Sequence, residues 1–359
     1  MLNVKDLVTH FRTPRGLVRA VDGVSLSVER GESIGIVGES GSGKTVLSRS
    51  IMGLISGASV VRTGSIDFDG DELIDRTDKQ MRKHWGRSMS MVFQDPMGSL
   101  NPLMRIGDQI AEPLRVHLGM DRTSARETAE RLLIDVRIPE PTRRLRQYPH
   151  EMSGGMRQRV MIAIALACGP KVLFADEPTT ALDVTVQAQI LGLIGEQRRE
   201  RNMSLVLVTH DLGVVAGHTD HIVVMYAGKV VERAPTSTLF SEMKMPYTEA
   251  LMESIPSLEA PSHSRLRTIP GRPPDLVHPP AGCRFAPRCA YARDRCRTEE
   301  PPLVDAATPA HQFACWYPVG SPEYLERKQQ QHAEPVDPSE RASASERVAS
   351  SGLRGRGTQ

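Results

Sequence analysis

The residues of this chain best suited to chemistry are Gly38-Glu39-Ser40-Gly41-Ser42-Gly43-Lys44-Thr45. Their spacing is G-x-x-x-x-G-K-[ST], a phosphate-binding loop. Gly38, Gly41 and Gly43 let the backbone curl so that its N–H groups, with those near Ser40 and Ser42, face an anion. A helix opening at the end of the loop adds unpaired donors and a positive dipole end. Lys44 is placed to reach β- and γ-phosphates, and the Thr45 hydroxyl to ligate Mg²⁺. The context is right: the apolar run Ser33–Val37 precedes the loop and a helix-like stretch, Val46 to Ile55, follows it. The implied substrate class is a nucleoside triphosphate.

A second element is Val172-Leu173-Phe174-Ala175-Asp176-Glu177. An apolar strand that ends in two carboxylates sets both at the C-terminal edge of a sheet, where α/β folds bind ligands. Side chains alternate along a strand, so the two acids face different tasks. Asp176 suits the Mg²⁺ shell and Glu177 suits polarising an attacking water.

A third element, Ser153-Gly154-Gly155-Met156-Arg157-Gln158, opens a helix continuing through Val160 to Ala167. Ser-Gly-Gly at a helix start is another anion cradle: bare N–H groups and a hydroxyl, with no side chains in the way. One nucleotide does not need two cradles from one chain. The second therefore points to a nucleotide held by another copy or a partner.

The elements that must position these residues are legible in the pattern. Short alternating strands fill Leu2 to Gly70, including Val18–Val28 and Ser65–Asp69. From about Pro102 to Arg146 the pattern is helical and polar, with Thr123 or Ser124 as the expected cap of a helix striped by Ala129, Leu132 and Leu133. After Gly169 the alternation is strand Val172–Asp176, helix Val184–Glu200, strand Leu205–Thr209, then a hairpin from Ile222 to Glu232 turning at Ala227-Gly228. Apolar strands followed by helices predict a parallel sheet covered on both faces. With 45 basic and 43 acidic residues the net charge is +2, which offers no nucleic-acid footprint. No apolar run approaches the ~20 residues that span a bilayer, and the first residues lack a signal pattern, so the expected compartment is the cytoplasm.

On these motifs the sequence resembles the ATP-binding subunits of ABC transporters, whose signature is this Ser-Gly-Gly-x-x-Gln. The resemblance covers roughly Leu2 to Ala260. It implies an α/β P-loop ATPase with a RecA-like core, an N-terminal antiparallel β region and a helical subdomain at about 96–168, all within 1–255. Gln94 matches the Q-loop glutamine, also a Mg²⁺ ligand, Ala181-Leu182-Asp183 the D-loop, and His210 the switch histidine. Phe11 stands where the family stacks an aromatic on adenine. The implied mechanism is a sandwich of two subunits, identical or different, around two ATP molecules. Glu177 and His210, with Lys44 and Gln94, drive hydrolysis.

Phe93 to Pro102, Gly271-Arg272-Pro273-Pro274 and Gly282 to Cys289 narrow the resemblance to dipeptide/oligopeptide importers. It implies two transmembrane permease subunits, an extracytoplasmic binding protein acting indirectly, no nucleic acid, and a peripheral position at the cytoplasmic face of the membrane. A soluble ABC ATPase acting on nucleic acid or ribosomes is the alternative, and another small solute such as nickel stays open as cargo.

Cys283, Cys289, Cys296 and Cys315 lie five, six and eighteen residues apart in a Pro-rich stretch read as a separate small domain, 256–320, while Cys168 stands alone in a helix. Four thiols in a reducing compartment suggest a metal centre, although their spacings match neither zinc ribbons nor a bacterial ferredoxin. The resemblance implies a [4Fe–4S] cluster on these four; zinc, or thiols without metal, are the alternatives. Arg284, Arg288, Arg293 and Arg295 are candidates to offset a cluster's charge, or simply a solvated basic face. The residues from 321 to 359, Gln-, Ser-, Glu- and Arg-rich, read as a disordered tail.

Overall fold

The structure, a computed structural model, describes residues 1–180, 182–255 and 268–333. The chain opens with β1 (Leu2–Thr13), β2 (Gly16–Val28), β3 (Ser33–Val37) and α1 (Lys44–Ile51), then β4 (Val60–Phe68), β5 (Asp71–Glu72), α2 (Asp78–Met81) and β6 (Met89–Val92). A helical stretch follows: α3 (Pro96–Ser99), α4 (Ile106–Leu118), α5 (Arg122–Asp135), α6 (Pro141–Arg144) and α7 (Gly154–Leu166). The α/β alternation resumes with β7 (Val172–Asp176), α8 (Val184–Arg201), β8 (Ser204–Thr209), α9 (Leu212–Ala216), β9 (His221–Tyr226), β10 (Lys229–Pro235), α10 (Thr236–Glu242) and α11 (Pro246–Glu253). The C-terminal part adds α12 (Asp294–Thr298), β11 (Val304–Asp305), β12 (Gln312–Phe313) and α13 (Pro322–Ala333).

The main sheet has the order β11-β12-β10-β9-β3-β8-β7-β6, and a smaller antiparallel sheet has the order β2-β1-β4-β5. Strands β9, β3, β8, β7 and β6 are parallel. Their period of two decides which side each residue serves. Ile34, Ile36, Val172, Phe174, Val206 and Val208 join the core shared with α1 and the small sheet. Leu173, Ala175, Leu205 and Leu207 join the core shared with α7, α8 and the helical stretch. Both faces are covered, which is why these strands read as unbroken apolar runs. The expected hairpin forms between β9 and β10, and its turn residues Ala227 and Gly228 both take positive φ, 47° and 86°, as a tight right-twisted hairpin requires.

Three expectations differ. The cap of α5 is Asp121, not Thr123 or Ser124: its carboxylate accepts from their backbone N–H groups at 2.9 and 3.1 Å. A carboxylate standing just outside the helix satisfies two orphan donors, which a hydroxyl inside the first turn cannot do. The stretch read as a disordered tail is also not structureless throughout, since Pro322–Ala333 is helical; residues 334–359 lie outside the described residues. Thirdly, the Cys-rich part falls in the same compact unit as the ATPase body, Met1–Trp316, while a second unit begins at Tyr317. It contributes β11 and β12 to the main sheet, through Glu232↔Phe313 and Arg233↔Gln312, and buries Phe285 in the core.

Replacing Asp121 with Ala is expected to lower unfolding free energy by about 1 kcal/mol, measurable by denaturant titration of the full chain.

Candidate nucleotide site

Strand β3 delivers the chain to the sheet's C-terminal edge and α1 carries it away, so Gly38–Gly43 form the turn between them. Gly43 caps α1 at φ 103°, and a Cβ there would stand 2.2 Å from the Ala20 carbonyl oxygen. Only glycine fits. Lys44 is 4% exposed, and its ammonium donates to the carbonyls of Gly38 and Glu39 at 2.7 and 3.0 Å. Burial lowers its pKa, while the charges of Glu177, Asp176 and Glu39 pull it upward.

Parallel pairing of β7 with β8, and of β8 with β3, brings Asp176 to the same edge. Its Oδ1 accepts from the Thr45 hydroxyl at 2.9 Å. Its Oδ2 is buried without a hydrogen bond, with the Arg49 guanidinium 3.9 Å away. Burial raises the Asp176 pKa above the usual carboxylate range, against the Thr45 hydrogen bond and the Arg49 charge. A buried carboxylate oxygen lacking a donor, beside a hydroxyl oxygen, is the oxygen donor set that Mg²⁺ takes. The residues fit that ion.

Glu177 follows in the left-handed region, φ 45°, a costly conformation for a non-glycine residue. The turn swings its carboxylate away from Asp176 and into a ring of polar groups. The amide of Gln94 donates to it at 3.0 Å, the Thr180 hydroxyl at 2.9 Å, and His210 Nδ1 stands 3.4 Å away. Glu177, Gln94 and His210 line one cavity of about 1050 Å³ together with Ser40, Gly41, Gly43, Lys44, Thr45 and Phe11.

The remaining site residues lie elsewhere. Ser153 caps the 13-residue α7, its hydroxyl accepting from the Met156 N–H at 3.4 Å. Ser153 and Gly154 are exposed, Gln158 is buried, and none of Ser153, Gly154, Gly155 or Gln158 lines the cavity. Asp183 caps α8 by accepting from the Val186 N–H at 2.9 Å; Ala181 lies outside the described residues. Sequence reading passed over Thr180, which its place next to the paired acids could have flagged. It also passed over Thr268, Ile269 and Leu276, which line the cavity from the C-terminal part and carry no motif, and it read Pro273 only as part of Gly271-Arg272-Pro273-Pro274, not as a cavity residue.

Residues 21–180 match the ABC transporter family, and residues 231–296 match the C-terminal region of oligopeptide/dipeptide transporters. The chain is 48% identical over 319 residues to the oligopeptide transport ATP-binding protein OppD of Escherichia coli strain K12, covering 89% of this chain and 94% of that protein. It is 49% identical over 319 residues to the dipeptide transport ATP-binding protein DppD of the same strain, covering 89% and 97%. The chain belongs to the ATP-binding proteins of oligopeptide/dipeptide ABC transporters. Among solved structures, the dimeric ATP-binding cassette MJ0796 in a post-hydrolysis state bound to ADP and Pi aligns with TM-score 0.60 and 28% identity, over 66% of this chain and 99% of that one. The fold is that of an ABC ATPase, and no helix among the described residues is long and apolar enough to cross a membrane.

The placement of the cysteines lends no support to the expected metal centre. Burial pushes the Cys283 and Cys289 thiols up to about 11 and about 12, and Cys283, Cys289 and Cys296 are close enough to add to those shifts electrostatically. Yet among the described residues no three His, Cys, Asp or Glu side chains are arranged to hold a metal ion. The arginines are committed elsewhere as well. Arg284 binds Asp22 and the Ala227 carbonyl, Arg288 binds Glu39, and Arg295 pairs with Glu299 while lying 3.5 Å over the Trp316 ring.

Because burial keeps Asp176 protonated to a higher pH than an ordinary carboxylate, Mg²⁺ competes with that proton. Mg²⁺-dependent nucleotide binding is expected to weaken on acidification from a pH above the usual Asp range, and Asp176→Asn to lose Mg²⁺ dependence. Nucleotide titrations with and without Mg²⁺ across pH check this.

Proposed function

We propose that this ABC ATPase binds and hydrolyses ATP to energise peptide import across the cytoplasmic membrane. Near-half identity to the peptide-transport relatives, extending through the C-terminal region as well as the cassette, carries the reading.

The chain's own residues have distinct tasks in it. The N–H groups of Gly38 to Thr45, including those at Ser40, Gly41, Ser42 and Gly43, cradle the phosphates, and Lys44 leaves its carbonyl partners for the β- and γ-oxygens. Phe11 stacks on the base. Thr45, Asp176 and Gln94 would hold Mg²⁺, which when bound neutralises phosphate charge. Glu177 orients and polarises the attacking water, and His210 and Gln94 hold its carboxylate in place. The exposed Ser153-Gly154-Gly155 cradle, with Gln158 beneath it and Asp183 beside it, serves the nucleotide of a second cassette, identical or not. That division of labour is consistent with the dimeric MJ0796 structure.

The chain itself offers no membrane-spanning helix among its described residues. It therefore works peripherally at the cytoplasmic face, on two transmembrane permease subunits that receive peptide from an extracytoplasmic binding protein. The near-balanced net charge of +2 gives no support to the nucleic-acid or ribosome alternative.

A [4Fe–4S] cluster on Cys283, Cys289, Cys296 and Cys315, or zinc in its place, is supported by the soft donor set alone. The thiols would have to lose their protons and close on the metal. Assays of iron, acid-labile sulfide and zinc on anaerobically purified protein decide among these, and metal-free protein leaves a thiol cluster.

Glu177→Gln is expected to bind ATP normally, reduce turnover at least about a hundredfold, and shift the protein to a nucleotide-bound dimer on gel filtration. Hydrolysis at the wild-type rate would refute the assignment.

A further inference from the structure

Glu39 lies inside the phosphate loop and lines the nucleotide cavity, and its carboxylate is bound by Arg288, a residue of the C-terminal Cys-rich part. The pair is bidentate, Nη1 to Oε2 at 2.6 Å and Nη2 to Oε1 at 2.9 Å. The other guanidinium donors are used too: Nε to the Pro270 carbonyl at 2.8 Å, Nη1 to the Tyr226 hydroxyl at 3.2 Å, Nη2 to the Ile269 carbonyl at 3.3 Å. Five N–H groups meeting five acceptors in a side chain 4% exposed is a fixed fork rather than a surface pair. The loop is held at its backbone as well, since the Glu39 N–H donates to the Tyr247 hydroxyl at 2.8 Å. Tyr247 packs against Tyr226 and Phe285, with ring centroids 4.6 to 5.2 Å apart. Farther along, the Leu276 carbonyl accepts from the Arg19 N–H at 3.0 Å. That bond sets Leu276 next to Val18, which lines the nucleotide cavity with Phe11.

We propose that the C-terminal part is a working portion of the ATP site: Arg288 is a positioning residue that holds the phosphate loop through Glu39, and Ile269, Pro273 and Leu276 wall the cavity on the side of Phe11. The inference rests on the assignment of this cavity to ATP. Electrostatics gives Arg288 its role. A triphosphate brings several negative charges to a loop that already carries a carboxylate, and Glu39 is close enough for its charge to act on Lys44. Arg288 offsets that repulsion by pairing with the carboxylate through two hydrogen bonds. Without Arg288 the carboxylate is left uncompensated beside the phosphates.

The test is equilibrium binding of ATP to the full-length chain, read by displacement of a fluorescent ATP analogue, alongside thermal unfolding. Wild-type binding, and its loss in Lys44→Ala, establish the nucleotide site independently; failure there sinks the ATP assignment and not Arg288 in particular. With that control in hand, Arg288→Ala is expected to weaken ATP at least about tenfold, a size typical of truncating one partner of a buried charge pair. Adding Glu39→Gln to Arg288→Ala is expected to recover most of the loss, because the offending charge goes too. A merely structural arginine gives no such rescue, so a double variant as weak as Arg288→Ala overturns the proposal. So does Arg288→Ala binding ATP within about twofold of wild type. Should Arg288→Ala not fold, Arg288→Lys keeps the charge and the aliphatic stem but loses the fork. Weakening of ATP by that variant at unchanged melting temperature supports the proposal, and wild-type affinity overturns it.

Discussion

The constraint on which the rest depends is the parallel register of β3, β8 and β7. Ser33 to Val37 pair with Leu205 to Thr209, and Val172 to Asp176 with Ser204 to Val208. Three strands that are apolar on both faces thereby end at one edge. Their ends hold the phosphate loop, Asp176 with Glu177, and the approach to His210. A parallel sheet needs crossovers long enough to return to the starting edge; α8 and the helical stretch from α3 to α7 supply them. The helices that cover the sheet therefore exist because of the same register that assembles the site.

That edge concentrates acid. Asp176 is fully buried, and Glu177 and Glu39 are mostly so. Buried carboxylates are tolerable when each has partners, and here the partners are distinct. Asp176 has Thr45 and a distant Arg49, an incomplete shell that leaves an oxygen for a cation. Glu177 has two neutral donors and a histidine, which orient it. Glu39 has a fully engaged arginine. The three acids at this edge thus differ in the completeness of their shells: one Asp176 oxygen lacks a donor, Glu177 is held by neutral groups and a histidine, and Glu39 by an arginine fork.

How much of this could be read beforehand varies by residue. Lys44, Thr45, Asp176 and Glu177 were legible because their spacing is set by local backbone geometry: a loop between strand and helix, and the end of a strand. Gln94 and His210 are unremarkable singly and became readable only as members of an ordered set of motifs. Asp121 was missed as a cap because the first turn of α5 offers several small polar residues, and only backbone dihedrals tell which stands outside the helix. The metal centre was read from thiol count and resemblance, but side-chain placement, not count, decides whether thiols can enclose an ion.

The sequence alone determined what the chain handles. Glycines, one lysine and one hydroxyl at fixed offsets can form a phosphate cradle within a single turn, and no distant residue is needed to see it. Tertiary structure decided what stands around that cradle. Arg288 lies 249 residues from Glu39, and nothing in a Pro- and Cys-rich stretch indicates that one of its arginines will close on the loop. Bonds of that range depend on where β12 joins the sheet and where Phe285 enters the core. Those placements follow from burial of apolar surface, which is indifferent to distance along the chain.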